Sequence, residues 1–173
     1  MKLLWLSALL VVTALPASTS VGAKPNLVSK YARLTGCKIV AQGNVERGED
    51  WGFLRCNGLG SIPAWYKCQD SSRCKLGFGT RPNASVVFEA KSFLSWPIEW
   101  RGTLEQGRFK PFAVILRGRW AGIEGTATTL FVYRIRLDGT SCVVGEASTN
   151  GAARRIADKA ANDYRCDSEP ELF

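Results

Sequence analysis

Four arginines, Arg117, Arg119, Arg134 and Arg136, are the residues whose type and spacing most clearly carry chemistry in this sequence. They fall in two β-rich runs, Phe112–Trp120 and Leu130–Leu137, joined by a loop of small residues. In the first run Phe112, Val114, Leu116 and Trp120 share one parity, and in the second Phe131, Tyr133, Ile135 and Leu137 do, as half-buried strands require. The arginines take the other parity in both. Any antiparallel register that joins the apolar sets places the arginines on the opposite side, because a one-residue slip reverses a strand. The expectation is a β-hairpin carrying a basic ladder. The planar guanidinium fork suits carboxylate and phosphate, so the ladder is a candidate ligand-binding surface. The alternative is a solvated sheet face whose charges Glu89 and Glu99 neutralise from neighbouring strands.

Other chemistry is thinly represented. The sequence holds no histidine, which removes Ser-His-Asp and Cys-His mechanisms and the commonest general base. Ser72 and Lys75 match a Ser-x-x-Lys spacing, but inside a cysteine-bounded polar loop and without the Ser-Asp-Asn and Lys-Thr-Gly partners of a lysine-activated serine. A glycosidase needs two facing carboxyl groups. Glu89, Glu99, Glu105 and Glu124 are the central candidates, and their spacing specifies no pair. No enzymatic activity, catalytic residue or cofactor is expected. Asn83-Ala-Ser85 is a glycosylation acceptor only in a eukaryotic host. The tryptophans Trp51, Trp65, Trp96, Trp100 and Trp120 read as core rather than as a sugar-stacking platform.

The cysteines and the N-terminus give the setting. Lys2 precedes the apolar run Leu3–Leu15, and small residues follow up to Ser20 and Ala23. That is the layout of a secretory signal peptide over residues 1–23, cut after Ser20 or after Ala23. The run is too short for a membrane span, and no later run is long enough, so no transmembrane segment is expected in the mature chain. All six cysteines, Cys37, Cys56, Cys68, Cys74, Cys142 and Cys166, lie beyond the leader. An even number in an oxidising compartment reads as disulfides, and local spacing suggests Cys37–Cys56, Cys68–Cys74 and Cys142–Cys166. With no Cys-x-x-Cys pair, no metal site is expected. The net charge of +8 suits an anionic partner, either an acidic protein or an anionic envelope polymer. Export argues against nucleic acid.

The elements that must position these residues read as follows. Residues 24–30 are a flexible lead-in, residues 31–166 form a single domain, and residues 167–173 are an acidic tail. Strands are expected at Trp51–Cys56, Ala64–Cys68, Ser85–Lys91 and Trp96–Arg101, in the two hairpin runs, and at Ser141–Ala147. Gln69–Cys74 reads as a polar segment and Gly77–Asn83 as loop. Thr149 or Asn150 caps a helix over Gly151–Tyr164, with Ala153, Ile156, Ala157, Ala160, Ala161 and Tyr164 as its apolar stripe. Arg154 with Asp158, and Lys159 with Asp163, stand at the four-residue offset that favours helix ion pairs. The fold class is α+β: one antiparallel sheet of about six to eight strands with a disulfide-stapled C-terminal helix on one face.

The order of several motifs resembles a group of short exported proteins of Gram-negative bacteria with no assigned activity. They are Cys56-Asn-Gly-Leu-Gly60 followed by Pro63, Glu99-Trp-Arg101, Ala113-Val-Ile-Leu-Arg117, and Ala153-Arg-Arg-Ile-Ala-Asp158 through Tyr164-Arg-Cys166. The resemblance spans about Cys37 to Cys166. It departs at Asn57, where such proteins often have proline, and at Val143, where they often have histidine. It implies a periplasmic or secreted setting and carries over no activity, ligand or site. The function expected is a non-enzymatic binding or inhibitor-like module. The alternatives are a structural envelope-maintenance factor acting through apolar surface and, third, a carboxylate-based hydrolase.

Overall fold

The computed structural model describes residues 26–70, 73–80, 87–89, 97–119, 128–163, 166 and 171–172. In chain order the strands are β1 (Leu27–Ala32), β2 (Thr35–Gln42), β3 (Gly52–Asn57), β4 (Pro63–Cys68), β5 (Arg73–Phe78) and β6 (Val87–Glu89). They continue with β7 (Ile98–Glu105), β8 (Arg108–Gly118), β9 (Thr129–Ile135) and β10 (Ser141–Ala147). The helix α1 (Asn150–Asp163) and β11 (Glu171–Leu172) follow. They make two sheets instead of the one expected. The first has the order β2-β3-β4-β5-β6 and the second β1-β7-β8-β9-β10-β11. Every pairing is antiparallel except β10 with β11.

Two sheets form because β3 to β5 have an apolar set of a single parity, which must be covered by something outside that sheet. Cys56, Ala64, Tyr66, Leu76 and Phe78 from the first sheet pack on Ile98, Trp100, Val114, Leu116, Phe131 and Tyr133 from the second. Phe78 meets Trp100 and Tyr133 edge-on, at centroid distances of 5.7 and 5.3 Å, an arrangement aromatic pairs prefer. The opposite face of the second sheet is buried as well. Ala113, Ile115, Leu130, Val132 and Val144 lie under Ala153, Ile156, Ala157 and Ala160 of α1. The order of layers is therefore sheet, sheet, helix.

The helix starts where expected. Thr149 Oγ1 accepts from the backbone N–H of Ala152 at 3.2 Å, satisfying one of the orphan donors of the first turn. The three disulfides are Cys37–Cys56, Cys68–Cys74 and Cys142–Cys166, the pairs suggested by spacing. The last ties β10 to the chain just beyond α1.

Three segments differ from the sequence reading. Most of the supposed lead-in forms β1, paired along β7 from Leu27↔Thr103 to Ala32↔Ile98. The stretch read as polar segment and loop contains β5, whose Gly77 stands opposite Trp65. In the tail, Glu171 and Leu172 pair with Gly145 and Glu146. Of the expected strand Ser85–Lys91 only Val87–Glu89 is described, and Trp96, Trp120 and Tyr164 lie outside the described residues.

Candidate functional site

The hairpin of β8 and β9 forms as expected, with Val114↔Tyr133 and Leu116↔Phe131 on the side facing the first sheet. Phe112 departs from this set. A bulge opposite Arg101 and Gly102 turns it to the helix side. Leu137 lies beyond the end of β9 and is fully exposed.

Arg117 and Arg134 share the helix side of the second sheet, while Arg119 and Arg136 lie beyond the ends of β8 and β9, and the four form no ladder. Arg134 stands opposite Ala113, and Arg117 opposite Leu130. Four residues along a strand separate these positions by roughly 13 Å, and Arg119 and Arg136 extend the separation in opposite directions. Between the two pairs lie Ile115 and Val132, buried under α1. Arg134 Nη2 donates to the Ala161 carbonyl at 3.2 Å, in the last turn of the helix, and Arg136 pairs with Asp138 at 3.4 Å. Both line a cleft of about 980 Å³ between the ends of the two sheets, together with Lys110 and Leu137. Lys110 is itself ion-paired with Glu105.

Glu99 and Glu105 do not form a hydrolytic pair. Glu99 and Glu105 are six residues apart on β7, roughly 20 Å, beyond the roughly 5–9.5 Å of glycosidase pairs. Glu124 and Ser72 lie outside the described residues.

Glu99 instead anchors the helix. Its carboxylate accepts from Ser29 Oγ at 2.6 Å, Tyr31 OH at 3.0 Å and Arg154 Nε at 2.6 Å. Arg101, two residues on, holds Asp158 through Nε and Nη2 at 2.7 and 2.8 Å. Arg154 and Asp158 thus pair with the strand and not, as their spacing suggested, with each other. Burial pushes the Glu99 carboxyl up, but the bonds from Arg154, Ser29 and Tyr31 and the Arg154 charge outweigh it and hold it below the ordinary carboxylate range. Two carboxylates and two guanidiniums make the network electrically neutral, a tether between β1, β7 and α1.

The basic sheet face lies on the first sheet, on the side turned away from the core. Alternation places Phe53 and Arg55 of β3, Trp65 and Lys67 of β4, and Arg73 and Lys75 of β5 on that side. Register then sets like charges directly opposite each other twice: Lys38↔Arg55 and Lys67↔Lys75. Phe53↔Lys67 and Arg55↔Trp65 complete a two-by-two checkerboard. Its aromatic diagonal is stacked, with centroids 5.3 Å apart and planes 15° apart. Arg55 lies over the Trp65 ring at 5.5 Å, and Trp65 Nε1 donates to the Gly79 carbonyl at 2.7 Å. Lys38, Arg55 and Lys67 are exposed, and Lys75, Phe53 and Trp65 half-buried. Arg73, at the far corner, pairs with Asp70 at 2.6 Å and stands opposite Glu89.

Like charges directly opposite on adjacent strands disfavour their pairing, a cost that an anion beside this face would offset. Strands at Trp51–Cys56 and Ala64–Cys68 were legible, and their parity already exposes Arg55 and Lys67. The missing signal was β5, which brings Lys75 beside Lys67 and which Gly77 and Gly79 disguise as loop. Compared with protein-family models, curated proteins and solved structures, the chain matches none.

Proposed function

We propose that the chain is an exported, non-enzymatic, single-domain module that binds an anionic partner, an acidic protein or an envelope polymer, through the outer face of its first sheet. The observation that carries this reading is the pair of like-charge oppositions, Lys38↔Arg55 and Lys67↔Lys75. Bringing an anion to such a face removes a repulsion already present in the fold, so the differential favours the bound state. The leader-like layout of residues 1–23, three disulfides and the resemblance to exported bacterial proteins support the periplasm or the exterior. Among the described residues no helix is long and apolar enough to cross a membrane.

The test is retention of envelope material by the oxidised protein at low and moderate salt. A variant with Lys38, Arg55, Lys67 and Lys75 changed to serine is expected to lose it. A variant with Arg117, Arg119 and Arg136 changed to serine is expected to keep it. Retention by the first variant, or loss in the second alone, overturns the assignment to this face.

A second reading, an envelope-maintenance factor acting through apolar surface, draws on Ile39, Val45 and Trp51. These exposed residues border a cleft of about 240 Å³ at the end of the first sheet. Retention that is insensitive to salt is its sign.

A further inference from the structure

Resting on the proposed anion-binding face, the geometry points to a linear anionic polysaccharide as the partner, held through its charges and not through ring stacking. Three features of the face select this class.

The first is the layout of the cations. Lys38 on β2, Arg55 on β3, Lys67 on β4 and Lys75 on β5 each lie one strand further across the sheet. The step from Arg55 to Lys67 also moves two residues along the strands. With strands about 4.8 Å apart and about 3.3 Å per residue, the backbone positions span roughly 16 Å on a diagonal. A compact anion meets one like-charge pair and leaves the other unrelieved. A chain bearing repeated anionic groups meets both.

The second is the state of the rings. Single-stranded nucleic acids gain much of their affinity by stacking bases on open aromatic faces. Here Trp65 is stacked by Phe53, overlain by Arg55 and hydrogen-bonded through its N–H to Gly79. The aromatic diagonal braces the cations and offers little ring face to a base. Tight protein partners want an anchoring aromatic that is free to enter a pocket, and Phe53 and Trp65, the aromatics between these cations, are already stacked on each other.

The third is the choice of cation. Three of the four are lysines, compact charges on flexible stems that accept sulfate, carboxylate or phosphate from many angles. Arginine alone of the two types demands fork geometry, and the one arginine is already laid over the indole.

The experiment measures affinity for four probes at matched charge: heparin oligosaccharides, oligogalacturonate, oligothymidylate and polyglutamate, with neutral dextran as blank. The two polysaccharides are expected to bind most tightly, about tenfold or more above oligothymidylate and polyglutamate. About four cations neutralised give a slope of log affinity on log salt near −3. Changing Lys38, Lys67 and Lys75 to serine is expected to weaken polysaccharide binding about a hundredfold. Changing the exposed Arg108, Arg119 and Arg155, an equal loss of charge, is expected to change it less than about threefold. Phe53→Leu is expected to change oligothymidylate and polysaccharide binding alike and slightly. Tighter binding of oligothymidylate or of polyglutamate overturns the polysaccharide while leaving an anion-binding face. Binding of no polyanion, or equal losses in the two triple variants, overturns the face and the inference with it.

Discussion

Arg154 donates from Nε to Glu99 Oε1 at 2.6 Å and from Nη2 to the Tyr31 hydroxyl at 2.6 Å, joining helix α1 to residues of two strands 55 and 123 positions earlier in the chain. Glu99 is buried while Arg154 is partly exposed, so one end of the pair depends wholly on its protein partners. A buried carboxylate stripped of its cation is strongly unfavourable. The position of α1 on the second sheet is therefore set by charge as well as by the Ala153, Ile156, Ala157 and Ala160 stripe.

Read from urea unfolding, Glu99→Gln is expected to lower stability by about 1.5 kcal/mol at neutral pH, the loss of charged hydrogen bonds, since the Arg154 it leaves behind reaches solvent. The pH profile carries the sign. Glu99 sits below its ordinary value of 4.5 in the folded state, so its contribution is present above that value and is lost as pH falls through the folded one. The two proteins should differ most at neutral pH and converge in acid. A constant difference across the acid limb would show that the carboxylate charge is not what holds the helix.

Arg134 is a helix cap in this fold. Its Nη2 meets the Ala161 carbonyl, one of the last four carbonyls of α1 without an intrahelical donor, where a cation is favourable. Arg134→Ser should cost about 1 kcal/mol of stability, whereas Arg33→Ser, at an exposed position between β1 and β2, should leave the urea midpoint unchanged. Equal effects of the two would remove the capping role.

What the sequence made legible was parity. Alternation in Phe112–Leu116 and Leu130–Ile135 assigned each side chain to the correct face, with Phe112 displaced by its bulge, and local spacing paired all six cysteines. Parity does not fix position along a strand. That depends on where the turn lies, so Arg117 and Arg134 shared a face yet stood at opposite ends. The unbroken apolar runs Ala113–Leu116 and Leu130–Tyr133 also carried a signal that alternation obscures, since strands buried on both faces read as continuous. The helix covers the face read as solvent-facing. Glu99 and its partners left no pattern, because Ser29, Tyr31 and Arg154 reach it from distant parts of the chain. Arg154 and Asp158 sit at ideal helix spacing and still prefer the strand, where buried Glu99 and half-buried Arg101 offer counter-charges.

Lys67 and Lys75 face each other across β4 and β5, and this opposition separates a face kept basic for a ligand from one that is merely solvated. Lys67→Glu converts a repulsive cross-strand pair into an attractive one, worth about 0.5–1 kcal/mol of added stability. The gain should appear as a raised urea midpoint at low salt and shrink as salt is added, because an exposed pair is screened. The same substitution breaks the diagonal of cations between Arg55 and Lys75, so retention of a polyanion should fall by at least about tenfold. Stability and binding are thus expected to move in opposite directions in one variant. A solvated face with no ligand would gain the stability and lose nothing. If Lys67→Glu instead lowers the urea midpoint, the two lysines are not in conflict, and the physical basis for placing the anion there is gone.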